Sequence, residues 1–244
     1  MSNAGLEGVV VAQTRLSAIN GETGELIYGG YDIDDLARNT TFEEVTYLLW
    51  NGDLPNNQEL TELSRALAAE SSITPRMLEL LRSFPEGGDA MAALRTAVSF
   101  LALEDPEAND NSEPANRRKA VRMTAKIPTI IASYDRVRKG LEPIAPKQEL
   151  STAANFLYML NGEEADELRT RTFDAGLVLH AEHGMNASTF SARVTAATQS
   201  DIYSAVVSAI GTLKGPLHGG CQHASHGNAG RYRAERPRPR RMGA

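Results

Sequence analysis

Up to about Tyr31 the apolar residues do not fall at helical spacing, and from Thr41 onward they do. The first stretch, GLEGVVVAQTRLSAINGETGELIYGGYDI, reads as extended chain: Val9 to Val11, then Leu16 and Ile19, an Asn20-Gly21 turn, and Leu26 to Tyr28. Thr41-Phe42-Glu43-Glu44 has the spacing of a capping box, and Val45, Leu48 and Leu49 follow before Gly52 and Pro55 end the pattern. Leu60, Leu63 and Leu67 share one face of the next helix, Thr74-Pro75 opens another, and Ala90 to Leu103 is a third, apolar throughout. The polar run from Asp105 to Asn116 reads as an exposed, mobile loop. Helical spacing resumes from Arg117 to Lys139, with Pro128 expected to kink that helix or divide it in two. Further helices are expected over Ser151 to Leu160, Glu164 to about Met185, Ala187 to Thr198 and Ile202 to Lys214. The fold class predicted is all-α, with a small N-terminal β-hairpin and no solenoid repeat.

Composition changes this picture mainly at the C-terminus. Of 244 residues 41% are hydrophobic, enough for a buried core, and the apolar runs fall short of the roughly 20 residues that span a bilayer. With no basic-then-apolar leader at the start, the expected location is cytoplasmic, away from membranes. The lone Cys221 allows no internal disulfide. Six of the 25 basic and one of the 31 acidic side chains lie beyond Gly220, so residues 1–220 carry a net −11 and the last 24 residues +5. An acidic body argues against a nucleic-acid partner and is compatible with a salt-rich cytoplasm. The segment 221–244, with RYRAERPRPRR, reads as a disordered basic tail appended to a globular portion over 1–220.

Candidate chemistry centres on five histidines: His180, His183, His218, His223 and His226. HAEH places His180 and His183 on one helix face, and HGGCQHASH adds Cys221 to a second cluster, but neither matches a zinc signature, so no metal is expected. For His180 the preferred assignment is a helix-face histidine satisfied by a backbone carbonyl. In GPLHGG, Gly215-Pro216 ends a helix and Gly219-Gly220 permits close backbone approach, so His218 is either presented from a tight turn or is an ordinary loop histidine facing water. If a helix follows, its positive end favours neutral imidazole, a hydrogen-bond donor to a carbonyl oxygen. The residues alone leave both open.

FEEVTYLLWNGDLP, MAALRTAVS, AKIPTIIA, ANFLYMLNG, LHAEHGMNASTF and GPLHGG, in that order, resemble the archaeal and bacterial type of citrate synthase over nearly all of residues 5–220. The resemblance implies a multi-helical homodimer whose large-domain portion is present here, condensing acetyl-CoA with oxaloacetate and water to citrate and CoA, with acetyl-CoA as substrate and no cofactor. It makes His218 the catalytic residue that polarises the thioester carbonyl, His183 and Asn186 the oxaloacetate-binding residues, and Ser188 a support for His218. The chemistry agrees, since a weak carbon acid needs preorganised donors for its enolate.

Two departures from the family pattern stand out. Tyr28-Gly29-Gly30-Tyr31 has glycine where the family usually reads YRGY. After Gly220 the family's GxN, a GYGH-like histidine, the catalytic aspartate and the carboxylate-clamping arginines have no counterpart. Back-translating CQHASHGNAGRYRAE with free codon choice and reading one base later can give ANTHRMEMLDDIER, a family-like continuation. The expectation is therefore a frameshift near codon 221 that truncates the enzyme and leaves the chain inactive on its own. Alternatives are 2-methylcitrate synthase, which takes propionyl-CoA, a non-catalytic fragment acting through helical association, and a helical binding module with a basic arm.

Overall fold

A computed structural model describes residues 13–20 and 23–218; Val9 to Val11, the Gly21 turn position and the segment 221–244 lie outside the described residues. Three antiparallel strands, β1 (Ser17–Asn20), β2 (Glu25–Tyr28) and β3 (Tyr31–Asp32), form one sheet in the order β1-β2-β3. The register pairs Ser17 with Tyr28 and Tyr28 with Tyr31, so the expected hairpin gains a third short strand. The turn between β2 and β3 uses Gly29 at φ +54°, and a Cβ there would lie 2.8 Å from Leu48 Cδ1. A larger residue at this position would be strained and would displace Leu48.

Ten helices follow among the described residues: α1 (Ile33–Asn39), α2 (Phe42–Asn51), α3 (Asn57–Glu70), α4 (Pro75–Ser83), α5 (Ala90–Glu104), α6 (Glu113–Arg138), α7 (Thr152–Asn161), α8 (Glu167–His180), α9 (Ala187–Ala197) and α10 (Ile202–Leu213). Their starts are chemically marked. Thr41 accepts from the Glu44 N–H while Glu44 accepts from the Thr41 N–H, closing the capping box of α2. Thr74 caps α4 ahead of Pro75, and Asp89, Ser112, Ser151, Asp166, Asn186 and Asp201 cap α5 to α10 in turn. Helix α8 is shorter than the spacing predicts, ending at His180 rather than near Met185.

Pro128 neither breaks nor divides α6, which is continuous over 26 residues. The helix is clamped on either side of it. Lys126 Nζ donates to the Glu70 and Ser72 carbonyls at 2.9 and 2.7 Å, and Thr129 Oγ1 donates to the Ser71 carbonyl at 2.7 Å. These contacts satisfy the carbonyls at the end of α3 and hold α6 in line through its missing N–H.

The run from Asp105 to Ser112 is tethered rather than mobile. Lys119, fully buried, donates to the carbonyls of Ala108 at 3.2 Å and Asp110 at 2.6 Å. Arg122 pairs with Asp105 at 2.7 Å and Glu107 at 2.9 Å, and Arg118 also grips Glu107. Hydrogen bonds from Arg118 and then Arg122 hold the Glu107 carboxyl down to about 2. Tyr203 at the start of α10 donates to Asp105 at 2.6 Å.

The largest cluster of buried side chains joins α4, α5, α6 and α10 through Met77, Leu81, Val98, Leu101, Ile130 and Ile210. A second seats the sheet on α1, α2 and α8 through Tyr28, Leu36, Val45, Leu48 and Val178. A third, with Leu63, Leu67 and Ala125, joins α3 to α6. The first cluster fixes α10 and the second fixes the end of α8. Those two helices deliver the candidate site.

Candidate functional site

The four residues expected at the site come from two short segments. His183, Asn186 and Ser188 lie on the turn from α8 into α9, and His218 lies five residues beyond α10. Asn186 has extended backbone geometry, and its Oδ1 accepts the Thr189 N–H at 2.9 Å, so it starts α9 and leaves its amide NH2 as a donor. Ser188 follows in the first turn of α9. Helix α10 packs along α9, with Ser191 and Ser208 hydrogen-bonded between them. Beyond α10, Gly215 N–H donates to the Thr212 carbonyl and His218 N–H to the Gly215 carbonyl, each at 3.0 Å. Lys214 pairs with Asp89 at 3.1 Å, tying this end of α10 to the start of α5.

These turns bring half-buried His218 onto half-buried Ser188, with 2.8 Å between His218 Nε2 and Ser188 Oγ. Of the two alternatives left open by the sequence, the histidine is presented from a tight turn and held by a neighbour. A serine hydroxyl that donates to Nε2 leaves the imidazole proton on Nδ1, which makes Nδ1 a donor for a ligand. Gly219, Gly220 and the helix expected to follow them lie outside the described residues, as do Cys221, His223 and His226.

His183 is exposed, and its backbone is fixed from both sides. Tyr28 is fully buried at the end of β2, and its hydroxyl donates to the Glu182 carbonyl at 2.6 Å, accepts from the Glu182 N–H at 3.3 Å and lies 3.2 Å from the Leu179 carbonyl. Burial pushes the phenol up, against the lowering effect of the Glu182 backbone hydrogen bond, and the charge of Glu182 adds a smaller push upward. On the other side of His183, the Gly184 N–H donates to Glu182 Oε2 at 2.6 Å. Gly184 has φ +64°, and a Cβ there would lie 3.4 Å from Ile19 Cδ1 on β1. Sequence reasoning missed this part of the site because Tyr28 reads only as one apolar member of a strand. His180, by contrast, is accounted for as expected: its Nδ1 lies 2.8 Å from the Gly176 carbonyl, which can only accept.

The site lies beside uncovered apolar surface. None of the eleven residues of α9 is buried, and Phe190, Val194, Leu213 and Leu217 are exposed, Leu217 to 95%. No helix among the described residues is long and apolar enough to cross a membrane.

A family model described as "Citrate synthase, C-terminal domain" matches residues 5–233, running past Gly220 into the arginine-bearing segment. The citrate synthase of Haloferax volcanii is 53% identical over 220 residues, covering 88% of this chain and 58% of its own length. The 2-methylcitrate synthase of Mycobacterium tuberculosis is 48% identical, covering 90% of this chain and 56% of its own length. Among solved structures, the ternary complex of carboxymethyl coenzyme A and oxaloacetate with citrate synthase from Thermoplasma acidophilum superposes with a TM-score of 0.85 at 31% identity. It covers 89% of this chain and 57% of that one. The chain therefore spans a little under three fifths of the length of the relatives it matches.

Proposed function

The chain belongs to the citrate synthase family, and we propose that it is the large-domain portion, residues 1–220, of an enzyme that condenses acetyl-CoA with oxaloacetate and water to citrate and CoA. His218 Nδ1–H donates to the thioester carbonyl while Ser188 Oγ holds Nε2, so the donor is aimed before enolate charge develops. His183 and the Asn186 amide bind oxaloacetate. The observation that supports this reading best is the 2.8 Å contact between Ser188 and His218, two residues 30 apart in sequence. The base that takes the methyl proton and the arginines that clamp the oxaloacetate carboxylates have no matching residues in the given sequence. Residues 1–220 on their own would bind and polarise without turning over, since such groups act as a unit.

The bare apolar face of α9 supports association with a second copy, giving the homodimer expected of the family. A preference for propionyl-CoA is the second reading, favoured by the 48% identity to a 2-methylcitrate synthase. It differs from the first by one methyl group in the acyl pocket.

The test is a titration of the chain with oxaloacetate, followed on the histidine imidazole resonances. His183 is expected to shift saturably, with a dissociation constant on the order of 1 mM because the clamp is missing. The same chain carrying His183→Ala should give no shift at any histidine. A wild-type chain whose imidazoles are all unmoved by oxaloacetate would overturn the proposal.

A further inference from the structure

We propose that Tyr28 is a positioning residue for oxaloacetate binding, its hydroxyl fixing the backbone before His183 so that the exposed imidazole points in one direction. This rests on the reading of His183 as an oxaloacetate ligand. Among the described residues no side-chain hydrogen bond holds the His183 ring, so its aim depends on how its own backbone is held. The turn that carries it follows α8, whose last carbonyls have no intrahelical partner. Tyr28 supplies what is missing there: its hydroxyl engages the Glu182 carbonyl and N–H and lies against the Leu179 carbonyl. The contact crosses 154 residues of chain, from β2 to the residue immediately before His183. The far side of His183 is held too, because Gly184 donates to Glu182 Oε2, and a Cβ at Gly184 would lie 3.4 Å from Ile19 Cδ1 of β1.

The N-terminal sheet thus acts as a bracket. Strand β2 holds the residue before the histidine, and Ile19 of β1 stands beside the position a side chain on the residue after it would take. The ring of Tyr28 belongs to the core that seats the sheet on α2 and α8, whereas its hydroxyl serves the end of α8 and the turn that follows. Packing and positioning can therefore be separated by removing one oxygen atom. Neighbouring Tyr31 provides the control, because its hydroxyl donates to Asp53 at an exposed site 2.8 Å away and has no link to the His183 turn.

The experiment compares wild type, Tyr28→Phe and Tyr31→Phe in the 244-residue chain by amide hydrogen exchange without ligand and by the oxaloacetate titration. In Tyr28→Phe, exchange at Glu182 and Gly184 is expected to rise about ten-fold, with a similar loss of oxaloacetate affinity read on His183. The His218 resonances, amide exchange in α5 and α6, and the whole Tyr31→Phe profile should stay as in wild type. Unchanged exchange at Glu182 and Gly184 in a folded Tyr28→Phe chain overturns the proposal, as does unchanged affinity despite faster exchange. If oxaloacetate fails to shift His183 in wild type, the proposed function falls, and the ligand-free exchange alone decides whether Tyr28 fixes the turn. Should Tyr28→Phe not fold, Ile19→Ala takes its place, since Ile19 is 54% exposed and dispensable to the core. Faster exchange confined to Gly184 and its neighbours then supports the bracket, and none overturns it.

Discussion

The two ends of α10 are built differently. At its start, Tyr203 is buried and hydrogen-bonded to Asp105, which Arg122 also grips, and Asn111 reaches across to the Gln199 carbonyl just ahead of the helix. At its far end, Lys214 makes one half-exposed ion pair, Leu217 is bare, and His218 rests on Ser188. Helix α9, which runs beside both, buries none of its residues. The buried cluster joins α10 to α4, α5 and α6, whereas the proposed catalytic residue His218 lies at the more exposed end of α10. The proposed condensation would suit such a division, because elements that move in catalysis are drawn from the less stable part of a fold.

The contrast can be broken from the stable side first. Leu81→Ala empties a 1% exposed position in the cluster that carries Tyr203 and Ile210, and should cost about 2–5 kcal/mol in urea unfolding. Tyr203→Phe keeps the ring and removes the hydroxyl on Asp105. Its expected cost is about 1–2 kcal/mol, with amide exchange rising through residues 105–112 and the Ser188 and His218 signals unmoved. A loss of the same size at both ends of α10 would erase the distinction between them.

Acid should loosen the same loop. The Glu107 carboxyl is depressed from 4.5 to about 2 by Arg118 and Arg122. Its contribution is therefore complete above about pH 4.5 and is lost as pH falls toward about 2. Exchange at residues 105–112 should accelerate within that window, and Glu107→Gln should flatten the response. The smallest effect is expected on the uncovered side: Phe190→Ala and Val194→Ala should each change the stability of the isolated chain by less than about 0.5 kcal/mol. If α9 meets a second copy, the same substitutions should nevertheless weaken self-association in sedimentation measurements.

Much of the fold was legible because its helices carry their own boundaries. Thr41 with Glu44 and Thr74 with Pro75 stand at observed helix starts, and the buried stripe of α3 is the expected Leu63 and Leu67. What escaped was short or depended on distant contacts. Helix α1 has seven residues and begins directly from β3, too little chain for a period to register. Pro128 carries a strong local signal for a break, and it was overridden by Lys126 and Thr129 binding carbonyls more than 50 residues away. The polar run after Asp105 looks the same in sequence whether free or clamped; only the fold brings Lys119 and Arg122 onto it. The site divides the same way. His183, Asn186, Ser188 and His218 were reached through family resemblance, and Tyr28 was invisible because its hydroxyl acts across 154 residues.

The central claim is that Ser188 holds His218 with its proton on Nδ1, ready for a thioester carbonyl. Long-range proton–nitrogen correlation spectra of the imidazole, recorded on the wild-type chain and on Ser188→Ala near neutral pH, address it directly. The account requires an unprotonated Nε2 and a protonated Nδ1 in wild type, with that preference lost in Ser188→Ala. A proton on Nε2, or a tautomer that ignores the loss of Ser188, would contradict it.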